Sequence, residues 1–444
     1  MQSEKLKVKD LNKKFFAYVT QNILGTMSIT IYILADALFV SLAVGSNGLA
    51  ALNLILPVFA LIFAIGEMLG IGSAIQFSIN KGVNKNEKAY LMNAVEWGVI
   101  FGMMIAVAGA MIPEKIIAIL GGNNDIIQIG VTYTRICMIF APFFILTRIL
   151  NAFVRNDGSP SIAMAGTVIS SLFNIVFDYI FIFVCGWGMK GAALATAFSP
   201  IIGISICMLH WIMKRNTIKF GWHKPSVSLL IKSVRTGISA FVGEISQGIV
   251  TLIFNMLILR FAGNVGVAAY GIIANVSMLA FSVLNGIAQG SQPLVSSYYG
   301  KNDVSQLYKV RKLTLLTSGI ASIAIFIVIV LFAEPIVSIF NSENNADLMS
   351  YAMRGMYLYF IGILVAGYNI SATSILSAVE SVKYAFWASI SRGLLAVIIC
   401  ALVLSALLGI DGVWLSFLAT EVITAFITFT GLKKLKIEKE VYRA

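Results

Sequence analysis

Twelve apolar runs, each long enough to cross a bilayer, constrain this 444-residue chain more than any other feature. They fall near 15–44, 49–79, 89–112, 126–154, 160–184, 189–213, 236–260, 264–297, 313–333, 346–378, 383–409 and 411–432. Each meets the ~20 residues a helix needs to span the hydrocarbon, and several exceed it, which implies tilt or helix extending beyond the core. Hydrocarbon offers the backbone no hydrogen bonds, so runs of this length satisfy themselves as helices. The expected fold is therefore all-α and integral to the membrane, with twelve transmembrane helices. Composition agrees, with 59% hydrophobic and 12% charged residues. The polar start MQSEKLKVKDLNKK precedes a run too long for a signal-peptide core, so helix 1 is expected to be retained.

The net charge of +12 is distributed by topology. Lys and Arg gather at Lys5–Lys14, Lys81–Lys88, Lys214–Arg235, Lys301–Lys312 and Lys433–Arg443, while the alternate loops hold few cations (Lys115, Lys190, Arg260). This positive-inside pattern implies a multi-pass protein of the cell (plasma) membrane with both termini in the cytoplasm, and it argues against a nucleic-acid partner. Cys137, Cys185, Cys207 and Cys400 stand singly, without disulfide or metal-site spacing. His210 and His223 are the two histidines, too few for a metal centre or a histidine-based catalytic set. No cofactor is expected beyond a coupling ion, and the chain is expected to be a monomer.

The two halves are related by a shift of 218 residues. GLAALN (48–53) falls on GVAAYG (266–271), and GIGSAIQFSINKGVN (70–84) on AQGSQPLVSSYYGKN (288–302), matching Gly72 with Gly290, Ser73 with Ser291, Gly82 with Gly300 and Asn84 with Asn302. EKIIAIL (114–120) resembles EPIVSIF (334–340) at nearly the same offset. Matches in order at a near-constant shift indicate duplication. With six helices in each copy the repeat is parallel, an architecture that in transporters places substrate between the halves. The expected organisation is an N-terminal six-helix lobe (1–213), a cytoplasmic linker (214–235) and a C-terminal six-helix lobe (236–444).

Acids at membrane depth are the functional signal, because each costs on the order of 3 kcal/mol or more there. They are Asp36, Glu67, Glu96, Asp178, Glu244 and Glu421. Asp36 and Asp178 lie on outward-running helices, each about 10 Å before the outer end, and Thr196 enters helix 6 to a similar depth. Asn174 precedes Asp178 by one turn, as Tyr32 precedes Asp36. Two carboxylates, an amide oxygen and a hydroxyl at one level can ligate a small cation such as Na+ or share a proton. The 218-residue shift sets Asp36 opposite Phe254, so the second half lacks an equivalent pair. Glu421 and Arg392 fall at similar depth and read as a structural ion pair. Arg148 is placed to neutralise Glu67 or Glu96. Glu244 reads equally as a cation-attracting cavity residue or as a partner for Lys232 or Arg235. Gly66, Gly70 and Gly72, with Gly98 and Gly102 at GxxxG spacing, mark close helix packing. Plentiful Phe and Met suit a cavity for varied hydrophobic ligands.

With these residues in view, the chain resembles the multidrug and toxic compound extrusion (MATE) family over almost its whole length. ADALFV with GLAALN resembles the family's first-helix acid and the start of its second helix. RNDGSPSIAM (155–164) resembles the turn between helices 4 and 5, NIVFDYIF (174–181) the fifth-helix acid motif, and GSQPLVSSYYG (290–300) the signature ending helix 8. The resemblance implies a two-lobed, twelve-helix exporter that expels organic cations and other amphipathic drugs in exchange for H+ or Na+. It also implies that Asp36, Asn174, Asp178 and Thr196 form the cation and proton site, with Tyr133 beside it. Tyr32, Tyr133 and Glu244 are the candidate cavity residues. Many relatives carry a proline near the middle of helix 1 that lets it bend; here Gln21 stands, with Gly25 the nearest flexible point. Another branch carries a working acid in helix 10, and Tyr351–Leu376 holds none. Glu244 resembles a helix 7 acid of that branch. Two alternatives stay open: a lipid-linked oligosaccharide flippase of the same superfamily, and a membrane-embedded enzyme. Rescue of drug sensitivity in a pump-deficient host separates the flippase; the enzyme would need polar catalytic residues at a loop–membrane boundary.

Overall fold

The computed structural model describes residues 2–81, 87–122, 124–218, 221, 224–341 and 345–441. Gly82, Asn84, His223 and parts of the basic clusters at Lys81–Lys88 and Lys433–Arg443 lie outside the described residues or their described side chains. Within them the chain is helical, with no strand. The helices are α1 (Gln2–Val44), α2 (Ser46–Asn80), α3 (Glu87–Met111), α4 (Pro113–Ile119), α5 (Asn124–Ile139), α6 (Ala141–Asn156), α7 (Pro160–Tyr179) and α8 (Gly188–Ile212). There follow α9 (Val227–Gly300), α10 (Val304–Phe340), α11 (Ala346–Phe360), α12 (Ile363–Ala378), α13 (Val382–Ile390), α14 (Ala396–Leu408) and α15 (Ile410–Val441).

Among the described residues nine helical segments are long and apolar enough to cross a membrane, and two bent pairs, α5–α6 (48°) and α11–α12 (46°), complete two more spans. The 74-residue α9 would run to about 110 Å as one rod, several times a hydrocarbon core. Gly263, at φ 60° and ψ −157°, breaks it. That backbone conformation is open to glycine alone, so the break sits where the apolar pattern pauses between 260 and 264. Twelve spans result. The sequence did not foresee the bends within the fourth and tenth spans, because residues 126–154 and 346–378 read as unbroken apolar runs.

Local sequence sets several helix ends. Asp303 caps α10 through Gln306 N, and Asn345 caps α11 through Asp347 N and Leu348 N. Pro160 opens α7 behind Gly158, whose φ of 97° turns the chain. Two short π-helical turns, Ile180–Val184 and Ser391–Leu395, lie within the fifth and eleventh spans.

The fold divides into two compact units, Met1–Ile245 and Ser246–Ala444. The 214–235 stretch becomes helical at Val227, and the first part of α9 belongs with unit 1. There Gly72 and Gly237 bring α2 and α9 together so closely that a Cβ on either would strike the other helix's backbone. Ser73 Oγ donates to Ser233 Oγ (2.8 Å) and Gln76 Nε2 to Thr236 Oγ1 (2.9 Å) along the same seam. Helix α6 lies at the centre of unit 1, packed by α2, α3 and α8. The GxxxG pair serves that contact: Gly98 abuts Ile149, and Gly102 faces the Pro142 backbone at 2.5 Å from where a Cβ would sit. In unit 2, α12 and α14 pack on α15.

Candidate cation and substrate site

Three helices of unit 1, α1, α7 and α8, pack side by side and carry the four residues of the candidate site. Asp36 on α1 is 7% exposed, and Asp178 and Asn174 on α7 are fully buried, as is nearly all of Thr196 on α8. The two carboxyl groups lie within hydrogen-bonding reach of each other. The Asn174 amide, with its nitrogen donating to Asp178 Oδ2 (3.1 Å), places its oxygen 3.3 Å from both Thr196 N and Thr196 Oγ1. The helical spacing that put Asn174 one turn before Asp178 thus lets Asn174 bridge Asp178 to Thr196 on α8. Tyr133, on α5 and fully buried, lies beside Thr196, and Cys137 one turn on lies beside Tyr133. Tyr32 is half-buried on α1 and lies in the field of Asp36 and Asp178.

Asp36 Oδ1 and Asp178 Oδ1 are buried and meet no hydrogen-bond partner among the described residues. Buried polar atoms are nearly always paired, so these two oxygens make the pair the candidate site. Two like charges in contact favour a proton shared between them or a small cation held by both. With the Asn174 and Thr196 oxygens beside them, the donor set is the all-oxygen kind that suits a hard monovalent cation.

A second charged group lies elsewhere in unit 1. Arg148 on α6 donates from Nη1 to Glu67 Oε1 at 3.0 Å and stacks over the Phe63 ring, 4.6 Å from its centroid. Of the two acids the sequence offered Arg148, Glu67 is the partner. Glu244, half-buried on α9, lies in the field of Glu67 and Arg148. Neither Lys232 nor Arg235 is its partner; two turns along a helix is too far for a side-chain pair, whereas α2 and α6 bring Arg148 alongside. Arg148 therefore lies in the field of two carboxylates, Glu67 and Glu244, and the buried Arg155 faces Glu67 as well.

A third polar cluster escaped the sequence reading because its acid lies in a loop. Asp157, in the turn between α6 and α7, accepts from Lys81 Nζ (2.9 Å), His210 Nε2 (2.9 Å) and Thr217 N (2.7 Å), and from Thr217 Oγ1. Burial pushes this carboxyl up, but the bonds from His210, Thr217 and Lys81 outweigh it and hold it at about 2. It ties the end of α2, the end of α8 and the segment after α8 to one point. The signal was present in RNDG (155–158), where Arg155 and Asn156 are also buried and Arg155 Nη1 donates to Asn22 Oδ1 at 2.9 Å. Loop acids are mostly solvated, so spacing alone did not single it out.

In unit 2 the expected ion pair forms: Arg392 donates to Glu421 Oε1 from Nη2 (2.7 Å) and Nε (3.1 Å). Asn369 Nδ2 donates to Glu421 Oε2 at 2.7 Å, and Thr428 to Asn369 Oδ1 at 2.9 Å. Both Glu421 oxygens are satisfied from within the unit.

The helical membrane architecture and a buried oxygen site in one unit define a membrane transporter of duplicated build. The MatE family profile matches residues 22–180 and again 240–402, two copies whose starts lie the same 218 residues apart as the repeats, and the chain belongs to that family. It is 25% identical over 406 residues to the multidrug export protein MepA of Staphylococcus saprophyticus, covering 90% of this chain and 89% of that protein. It is 26% identical over 407 residues to MepA of Staphylococcus aureus, with the same coverage. Among solved structures, an outward-facing multidrug resistance MATE family transporter of the MOP superfamily shares the fold at a TM-score of 0.90, with 22% identity and 97% of each chain covered.

Proposed function

We propose that this chain is a secondary active multidrug exporter, moving organic cations and other amphipathic compounds outward in exchange for H+ or Na+ by alternating access. The observation that carries the reading is the Asp36–Asp178 pair, with one buried and unpartnered oxygen on each carboxylate. The staphylococcal relatives named as multidrug export proteins support the substrate class. Entry of the coupling cation neutralises the pair, α1, α7 and α8 repack around Asn174 and Thr196, and substrate leaves outward. The cation then departs to the cytoplasm and the pair recharges. Tyr32, Tyr133 and Glu244 line the path of the substrate, and the Glu244 carboxylate favours compounds that carry positive charge. The chain works as a transporter rather than an enzyme, as a monomer in the plasma membrane, with both termini cytoplasmic and no cofactor beyond the coupling ion.

The test is drug efflux from proteoliposomes with pH and sodium gradients imposed separately. One gradient should drive efflux in the native chain and fail in Asp36→Asn. Full gradient-driven efflux by Asp36→Asn would reject the reading.

A further inference from the structure

The π-helical turn Ser391–Leu395 in unit 2 does two things at once. Its widened ladder, in which Ala396 N bonds Ser391 O, turns Arg392 inward to Glu421 and sets Gly393 against Ser246 Oγ. On the opposite side it opens a groove of about 280 Å³ between the eleventh and twelfth spans. Trp387, Ser391, Leu395, Ala396, Ile399 and Ile423 line it, and apart from Ser391 their side chains offer almost nothing but apolar surface. Trp387, Leu395, Ile399 and Ile423 are exposed, so the groove opens on the face that unit 2 presents to its surroundings at membrane depth.

The register of the two spans shows what stands at the groove's end. Ser391 pairs with Thr424 (2.9 Å), and Tyr384 lies against Gly431, so the helices run antiparallel with Lys383 level with Leu432. Lys383 is one turn before Trp387 on the same helix face and is exposed. Lys434 is exposed and reaches over the Tyr384 ring, 6.0 Å from its centroid. Arg311 joins them through Nη1 to Leu432 O at 3.3 Å, and Glu380, in the turn before α13, is the acid of that stretch. Among the described side chains, cations therefore outnumber acid at this end.

From Trp387 to Ile399 the groove rises about 18 Å, close to the ~15 Å of one leaflet's hydrocarbon. Its volume falls just under the about 300–1,000 Å³ of small-molecule sites. We propose that this groove is a phospholipid site: one acyl chain lies along the π-helical turn, and an anionic headgroup is held by Lys383 and Lys434. Trp387, with its amphipathic ring at the level of the glycerol, marks the boundary between the two parts. The proposal rests on the membrane-spanning fold and on charge complementarity at the groove's mouth, and it is independent of the transport reading.

The experiment uses the full chain in nanodiscs of phosphatidylcholine mixed with phosphatidylglycerol, with bound lipid measured by native mass spectrometry after mild detergent release. The native chain should retain phosphatidylglycerol in preference to phosphatidylcholine. Lys383→Ala with Lys434→Ala should lower retained phosphatidylglycerol about thirtyfold, since each basic side chain near the headgroups contributes on the order of 1 kcal/mol. Ala396→Leu, which fills the groove, should lower retention of both lipids, with thermal unfolding confirming the fold; Ile399→Trp replaces it if that variant does not fold. Equal retention of the two lipids by the native chain, or unchanged retention in the lysine and groove variants, would overturn the proposal. Efflux by the same variants reads the transport function separately.

Discussion

The two units share a duplicated plan, yet at corresponding positions they hold opposite chemistry. Under the 218-residue shift Asp36 corresponds to Phe254, Thr196 to Trp414, Asn174 to Arg392 and Asp178 to Ala396. Phe254 and Trp414 are fully buried, and Tyr270 links them, with ring centroids 5.5 Å from Phe254 and 6.1 Å from Trp414. Where unit 1 gathers oxygens with unsatisfied lone pairs, unit 2 packs aromatic rings. Unit 2 keeps one buried acid, Glu421, and closes it with Arg392 and Asn369. A closed ion pair is satisfied within the fold; an open carboxylate pair is a cost with no structural return, and that makes it the candidate site. The duplication kept the helices and let the interior diverge.

The sharpest way to break this contrast is to neutralise each side in turn. Asp36→Asn or Asp178→Asn should reduce gradient-driven efflux to background while leaving thermal unfolding unchanged or raised, because a like-charge contact is removed. Glu421→Ala should do the reverse. Half-buried Arg392 loses its partner and Asn369 its acceptor, and unfolding in detergent should show a loss of about 3 kcal/mol, with residual transport in the folded fraction. If Glu421→Ala abolishes transport at unaltered stability, unit 2 carries coupling chemistry too and the contrast collapses.

Asp157 provides an intermediate case: a buried acid in unit 1 that is closed like Glu421. Asp157→Asn should destabilise by about 3 kcal/mol without changing the choice of coupling ion. Because the folded carboxyl is held at about 2, below its unfolded value, its stabilising contribution is complete above about pH 4. It is lost as the pH falls from there through about 2, and the Asn variant should show a flatter acid limb in pH-dependent unfolding. A smaller effect is expected at Glu244: Glu244→Gln should weaken export of singly charged cations by roughly fivefold, equivalent to about 1 kcal/mol, and leave neutral compounds untouched. Equal losses for both classes would remove Glu244 from the substrate path.

Much of this was legible in the chain. Apolar run length set the number of spans, since hydrocarbon admits no other solution for such runs. The repeat was visible because glycines and small polar residues at close helix contacts, such as Gly72 and Ser73, tolerate little change. Asp36 and Asp178 stood out because charge at depth is rare, and one-turn spacing added Asn174 and Tyr32. Glu244 was legible only in part: its depth could be counted along α9, but its neighbours come from α2 and α6. Asp157 was passed over because a loop position gives no hint of burial. Neither π-helical turn had a sequence signature, and so the groove beside Ser391 was invisible.

Sequence alone therefore determined what must be paid along the chain direction: which segments lie in hydrocarbon, which ends carry positive charge, and which acids are costly. Those quantities depend on neighbours one turn away and on the solvent around them. Tertiary structure decided which buried acids are closed by partners and which stay open. Asp36, Asp178 and Glu421 look alike as carboxylates in apolar runs, and only the helices packed against each one supply or withhold the groups that satisfy it.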